Sequence, residues 1–434
     1  MNLLYANDRK GQYPDSWYAV TADPLPPFLA LKGRIKADVC IIGGGYTGLS
    51  SALHLADKGY DVVLLEAQRV GFGASGRNGG QIGSGFNKGQ DALVTKYGAE
   101  TARQLWDLTE DAKALTRDLI ERHTPEARYR PGVAHADWHA RDVAETHAEA
   151  AFLNDMYGYD KMDCLDRAAM RALVGSDAYQ GGILDRGAGH VHPLRYAFGL
   201  AKAAQTAGAR IFEQTHVHRL AKGAPNIVAT DRGRVEAEFV ILACNGYLGG
   251  LERKTAARVM PINNFIAATA PLGDQAKDIL AEDIAVADSK FVVNYFRLSE
   301  DNRLLFGGGE SYGYQFPEDI AAAVRKPMET VFPQLKGVEI THAWGGTLAI
   351  TMSRLPYFAR LSDTVLTATG YSGHGVALAS FAGKVLSEAI AGQAERFDLL
   401  ASLQPSTFPG GAAFRTPLLA LAMTWYAMRD RLGI

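Results

Sequence analysis

The segment Cys40-Ile-Ile-Gly43-Gly-Gly45-Tyr-Thr-Gly48-Leu constrains the fold more than any other stretch of this chain. It closes an apolar run and opens a helix-forming one. Residues 37–42 read as a buried strand, and residues 49–58 as a helix with apolar positions at Leu49, Ala52, Leu53 and Ala56. Between them, Gly43 permits a tight turn, Gly45 lets backbone N–H groups approach a pyrophosphate, and Gly48 lets helix and strand pack closely. Tyr46 and Thr47, within the same turn, are further candidate cofactor contacts, and the helix N-terminus faces the negative charge. A second strand, residues 61–66, ends in Glu66, 18 residues after Gly48, the spacing expected of a carboxylate on ribose hydroxyls, with Ala67 beside it. A free 2′-hydroxyl is therefore favoured over a 2′-phosphate. These residues predict a dinucleotide but leave NAD and FAD both open.

With 434 residues the chain has room for two domains and an interior ligand cavity. Its 45 basic and 47 acidic residues leave a formal charge of −2, so no basic field favours nucleic acid or an acidic membrane, and a small-molecule partner is expected. Cys40, Cys164 and Cys244 are odd in number and widely separated, without metal-ligand spacing. No metal is expected, and free thiols fit a reducing compartment. No signal-like segment opens the chain and no apolar run is long enough to span a bilayer, so a cytoplasmic location is expected. Pro417 to Met428 reads as an amphipathic helix with Leu418, Leu421, Ala422, Trp425 and Met428 on one face, suited to surface docking or to peripheral membrane contact.

Residues 1–35 carry Pro14, Pro24, Pro26 and Pro27 without a sustained period and read as an extended leader. Helical composition dominates residues 91–122 and 141–174, and a further helix begins at Pro193. Strands are expected at 210–217, 235–244, 265–270, 291–298, 303–306 and 365–369, and a last helix at 376–391. This alternation implies a nucleotide domain built from residues 36–85, 186–258 and 345–400, a substrate domain from 86–185 and 259–344, and an extension at 401–434. Phe306-Gly307-Gly308-Gly309 follows a strand, but no glycine stands at position 312 and no amphipathic helix follows. One dinucleotide site is expected.

Three more segments narrow the choice: Gly71-Phe-Gly-Ala-Ser75-Gly76-Arg77-Asn78-Gly79-Gly80-Gln81, Gly187-Ala-Gly-His190-Val-His192-Pro193 and Gly370-Tyr371-Ser-Gly373-His374-Gly375. With the opening motif, they resemble the D-amino-acid oxidase superfamily of FAD-dependent oxidoreductases, which includes sarcosine and glycine oxidases. The resemblance covers residues 37–395. The phrases Gly44 to His54, Gly73 to Gln81, Pro333 to Val338, Gly370 to Val376 and Arg429 to Gly433 are most similar to the bacterial γ-glutamylputrescine oxidase branch. It implies an α/β fold, a Rossmann-type FAD-binding domain with an interleaved α+β substrate-binding domain.

Among cofactor contacts, the resemblance adds Val217, Gly346, Gly375 and Val376 to the glycine turns and to residues 75–81. Gly373-His374-Gly375 at a helix N-terminus supplies N–H groups and a dipole for charge on a reduced flavin, with His374 as candidate catalytic residue. Arg77 is suited to a phosphate or to the ring. His190 and His192 stay unassigned, with helix capping the simplest role. The positions where relatives attach flavin covalently hold no cysteine (347–354) and no histidine (71–81), so FAD is expected to be noncovalent. Where sarcosine-oxidase relatives place a carboxylate-binding lysine, this chain continues Val376-Ala377-Leu378, which disfavours an α-amino-acid substrate.

The resemblance thus implies oxidation of a primary amine, γ-glutamylputrescine or a close analogue, to an aldehyde with release of ammonia and hydrogen peroxide. Oxygen is the expected acceptor. Tyr295, Trp344 and Tyr371 are candidate aromatic walls of the substrate pocket. The alternatives are another flavin-dependent amine or amino-acid oxidase or dehydrogenase, an NAD-dependent dehydrogenase, and a non-catalytic flavin-binding subunit.

Overall fold

The computed structural model describes residues 2–409 except 312. Its first sheet runs in the order Tyr357–Ser362, Val365–Thr369, Gly233–Leu242, Gly33–Ile42, Val62–Leu65, Arg210–Phe212, and all neighbours after the first pair are parallel. The apolar runs at 39–42 and 62–65 are buried on both faces, as a covered parallel sheet requires. Their side chains alternate between two cores. Val39, Ile41, Val62 and Leu64 meet the helices Tyr46–Ala56, Pro193–Thr206 and Gly375–Ile390, while Cys40, Ile42, Val63 and Leu65 join Val228 and Val235 on the opposite face. There the hairpin Val217–Ala221 with Asn226–Thr230 extends the sheet, so the single strand expected at 210–217 is two pieces.

The second sheet follows the order Ile340–Ile350, Met260–Thr269, Leu304–Ser311, Tyr295–Leu298, Ala285–Asp288, Arg130–Asp137, Gly181–His190, Gln81–Ile82. Helix Ile320–Val331 packs against it through Val324, Met328 and Val331, and Phe296 stacks on Phe306 at 5.5 Å. Phe306 to Gly309 thus lies inside a strand rather than forming a glycine turn.

Three boundaries differ from the sequence expectation, each for a packing reason. Helix Ala99–His123 belongs to the nucleotide core because Leu105, Leu108, Ala112, Leu115 and Leu119 form one apolar stripe against it. Strand Gly181–His190 pairs wholly with the second sheet, which draws in residues assigned to the nucleotide domain from 186 onward. The leader is not simply extended: Ser16 caps helix Trp17–Thr21, and Trp17 and Tyr18 are buried, with the Tyr18 ring edge-on to Trp344 at 5.1 Å. The amphipathic segment Pro417 to Met428 lies outside the described residues. Among the described residues, no single helix is long and apolar enough to cross a membrane.

Candidate functional site

A cavity of about 660 Å³ runs between the two sheets. The nucleotide side begins at the first glycine turn. Gly43 has φ +114°, and a Cβ there would lie 2.5 Å from the Ala243 carbonyl. At Gly48 a Cβ would sit 1.9 Å from the Gly43 carbonyl, so this glycine serves helix packing and does not line the cavity. Gly45 does line it, and its approach is closed from behind by the Ser75 hydroxyl, which accepts the Tyr46 N–H at 3.0 Å. Tyr46 and Thr47 complete this wall, where the first turn of the helix offers N–H groups without helical partners.

Glu66 is buried at the strand end. Its two carboxylate oxygens accept N–H bonds from Gly44 (2.7 Å) and Gln68 (2.8 Å), while burial pushes its pKa up to about 7. Ala67, Thr215, His216, Val217 and Cys244 line the cavity with it.

The second glycine-rich turn is locked by its own polar groups. Asn78 donates to the Ala74 and Ser75 carbonyls and accepts the Gly80 N–H, and Gln81 reaches the Val286 carbonyl of the second sheet at 2.9 Å. Ser75, Arg77, Asn78, Gly79 and Gln81 line the cavity. Gly76 and Gly80 do not, because their backbones press on the Gly71 and Val191 carbonyls, where a Cβ would stand at 2.2 and 2.1 Å. Arg77 is not a free surface cation. Its guanidinium pairs with Asp8 at 2.9 Å, donates to the Phe72 and Gly345 carbonyls and stacks over the Phe72 ring at 4.3 Å.

The third turn carries Ser372 and Gly373 at positive φ, +52° and +99°, before helix Gly375–Ile390. Gly346, Tyr371, Gly373, His374, Gly375 and Val376 all line the cavity. His374 is half-buried, and its Nδ1 lies 3.1 Å from the Gly85 carbonyl; Nδ1 is therefore the protonated nitrogen, and the ring ties the turn to the loop at 83–87. Desolvation holds its pKa below the ordinary imidazole value, so the neutral form prevails near pH 7. With this side chain committed, the groups of this turn that offer a positive pole are the first N–H groups of the helix. Asn87, which sequence reasoning missed, bonds the Ser372 carbonyl at 2.5 Å and holds the same turn.

The opposite wall comes from the second sheet. Tyr295 lines it, its ring seated against Gly79 and Gly307 and its hydroxyl bonded to Asn264. The Tyr371 hydroxyl bonds to Thr47 at 2.7 Å. Trp344 is a correction: it is 1% exposed, its indole N–H donates to the Arg77 carbonyl, and it belongs to the core behind the turn. His192 caps the helix at Pro193 by accepting the Arg195 N–H, while His190 sits in a strand bonded to Asp283.

Charged groups of this wall were also missed. Asp288, Lys290, Glu310 and Arg354 border the cavity with Phe291, Val293 and Ile350. Asp288 is buried and anchors its turn by accepting N–H bonds from Lys290 and Asn294 and one from the Asn294 amide, and burial raises its pKa to about 6. Asp288, Lys290 and Arg354 lie in no glycine phrase and Glu310 follows one that forms a strand; the fold alone brings them to one space.

The cavity's donor set fits a flavin dinucleotide: a carboxylate at the adenosine end, a glycine turn and helix N-terminus at the middle, and a second helix N-terminus at the far end. Comparison with known proteins agrees. Residues 38–389 match the family model described as DAO, FAD dependent oxidoreductase. The chain is 41% identical to gamma-glutamylputrescine oxidoreductase of Escherichia coli (strain K12), covering 98% of this chain and 100% of that one. It is 44% identical to the probable oxidoreductase OrdL of Rhizobium meliloti (strain 1021), covering 96% and 97%. Among solved structures, glycine oxidase from Geobacillus kaustophilus superposes with TM-score 0.71 at 21% identity, over 86% of this chain and 98% of that one. The chain belongs to the DAO family of FAD-dependent oxidoreductases.

Proposed function

We propose that this enzyme oxidises a primary amine, γ-glutamylputrescine or a close γ-glutamylated amine, to the corresponding aldehyde, with noncovalently held FAD and with oxygen as final acceptor. The observation that carries the substrate is the 41% identity, along essentially the whole of both chains, to an enzyme named for γ-glutamylputrescine. When bound, FAD supplies hydride acceptance from the amine's α-carbon and passes the electrons to oxygen, giving hydrogen peroxide. Glu66 would hold the ribose, the turns at Gly43–Gly45 and Ser75–Gly79 the pyrophosphate and ribityl chain, and the helix at Gly375 the pyrimidine edge of the flavin.

The chain's own residues then have three tasks. An alkyl ammonium lacks the lone pair that drives hydride loss, so the site must favour the neutral amine; Tyr295, Phe291, Val293 and Ile350 provide an apolar surround that does so. Lys290 and Arg354 supply cations for the α-carboxylate of a glutamyl head, and Glu310 an anion for its α-ammonium. The far-end contacts fix the reacting carbon, so that remote binding energy appears as rate. Hydrolysis of the resulting imine releases ammonia and γ-glutamyl-γ-aminobutyraldehyde. Ala377, buried in the helix after the Gly373-His374-Gly375 turn, leaves no cation there for an α-amino-acid carboxylate.

A substrate panel with peroxide and ammonia detection tests this reading. γ-Glutamylputrescine should exceed free putrescine, and both should exceed glycine, sarcosine and D-alanine. Preference for sarcosine or D-alanine would overturn the substrate while leaving the family intact. Acid precipitation should release the flavin into the supernatant; flavin retained on the denatured chain would overturn the noncovalent assignment.

A further inference from the structure

The first residues of the chain precede residue 38, where the family match begins, yet they reach the cofactor cavity. Leu4 is part of the cavity wall, and Tyr5 meets the ring of His216, another wall residue, edge-on at 5.9 Å. The segment is tied to the nucleotide domain by the fully buried Gln68, whose amide donates to the Leu4 carbonyl and accepts the Gly11 N–H, both at 2.6 Å. The Tyr13 hydroxyl adds a bond to the Val70 carbonyl at 2.8 Å. On the other side Asn7 clasps the substrate domain, donating to the Tyr314 carbonyl and accepting the Phe316 N–H, both at 2.8 Å. Residues 2–13 therefore bridge the two domains beside the cavity.

Asp8 is the link to the cavity itself. Its carboxylate holds one terminal nitrogen of Arg77, a cavity-lining side chain only 1% exposed, at 2.9 Å. Nε of that guanidinium is taken by the Phe72 carbonyl, while the other terminal nitrogen is buried and has no hydrogen-bond partner among the described residues. A buried guanidinium N–H is costly to leave unmade, so Asp8 and the Phe72 and Gly345 carbonyls are what hold this cation in the wall of the cavity.

We propose that residues 2–13 form a strap that is part of the FAD site: through Asp8 it holds Arg77 in the cavity wall, and by bridging the two domains it slows cofactor release. The strap must lift, breaking the Asp8–Arg77 pair and the Asn7 clasp, before FAD can leave. Gln68 then acts as the fixed end of the strap and Asn7 as its free end.

The test reads cofactor release, which does not depend on which amine is oxidised. FAD-loaded wild type, Asp8→Asn, Asp8→Glu and Asn7→Ala are diluted, and the rise of free FAD fluorescence is followed; the melting temperature of each apoprotein is measured in parallel. Asp8→Asn and Asn7→Ala should release FAD at least about tenfold faster, the factor that corresponds to losing one modest polar contact, with Asp8→Glu between them and wild type. Asp8→Asn leaves the buried Arg77 guanidinium without its anion and should also lower apoprotein melting, whereas Asn7→Ala should change it little. Release at the wild-type rate in both variants would overturn the proposal. So would faster release from Asn7→Ala accompanied by an equal loss of apoprotein stability, since the segment would then be a general brace.

Discussion

The two walls of the cavity are built by different means. The nucleotide wall is mostly backbone: Gly43, Gly45 and the helix N-termini at Tyr46 and Gly375 present N–H groups, and side chains such as Ser75 and Asn78 serve to hold those turns. The substrate wall is mostly side chain: Tyr295, Asp288, Lys290 and Glu310 reach one space from separate strands and turns. A backbone site tolerates almost no added atoms but is indifferent to the chemistry of the amine. A side-chain site can be retuned one residue at a time. The cofactor is thus fixed by the fold, and the substrate by a handful of substitutable positions.

The largest effect should come from adding atoms to the backbone wall. Gly45→Val places a side chain against the Ser75 hydroxyl, 2.8 Å from an ideal Cβ, in the turn that would hold the pyrophosphate, so the variant should purify folded and colourless. Full flavin occupancy would break the contrast between the walls. On the opposite wall, Asp288→Ala removes the acceptor of three N–H bonds in the turn that carries Lys290 and Phe291. It should keep its FAD and lower kcat/KM by about a hundredfold, the order expected when a buried acceptor is lost and several donors are orphaned. Loss of flavin from this variant would show that the walls are not separable.

The nucleotide wall was legible because its devices are local in sequence: a glycine every few residues, a strand before, a helix after, an acid at a set distance. Each position there answers to one nearby contact, as Gly48 does to the Gly43 carbonyl. Arg77 shows the limit of this. It lies in a recognisable phrase, but its partner Asp8 comes from a leader whose prolines suggested no fixed structure. The substrate wall was illegible for a related reason. Asp288 and Glu310 become neighbours of one cavity only through pairing across strands 285–288, 295–298 and 304–311, and register is not written in any short motif. Trp344 failed in the other direction, since a large aromatic beside a glycine phrase reads equally as wall or core, and packing against Tyr18 made it core.

His374 lines the same cavity as both walls. His374→Ala removes the bond to the Gly85 carbonyl and loosens the turn that aims the helix N-terminus. The anaerobic flavin reduction rate should fall by about tenfold to a hundredfold, with FAD binding weakened much less. An unchanged rate in the loaded variant would leave His374 a packing residue.

The smallest effect concerns pH. Because desolvation keeps His374 below the usual imidazole pKa, it is already neutral above pH 7 and gains no further charge change there. The substrate amine, with an ordinary pKa of about 10, gives up its proton over that range, so the reduction rate should rise from pH 7 toward pH 9. The same rising limb should persist in His374→Gln. Its disappearance would assign the titration to the histidine instead of the amine.

On the proposed function, a γ-glutamylated amine reduces the bound flavin. Anaerobic mixing of the purified protein with γ-glutamylputrescine, followed by flavin absorbance, tests it directly. Rapid and complete bleaching, faster than with putrescine, sarcosine, glycine or D-alanine at the same concentration, is the predicted result. A flavin that stays oxidised with γ-glutamylputrescine, or bleaches faster with an α-amino acid, would contradict the account.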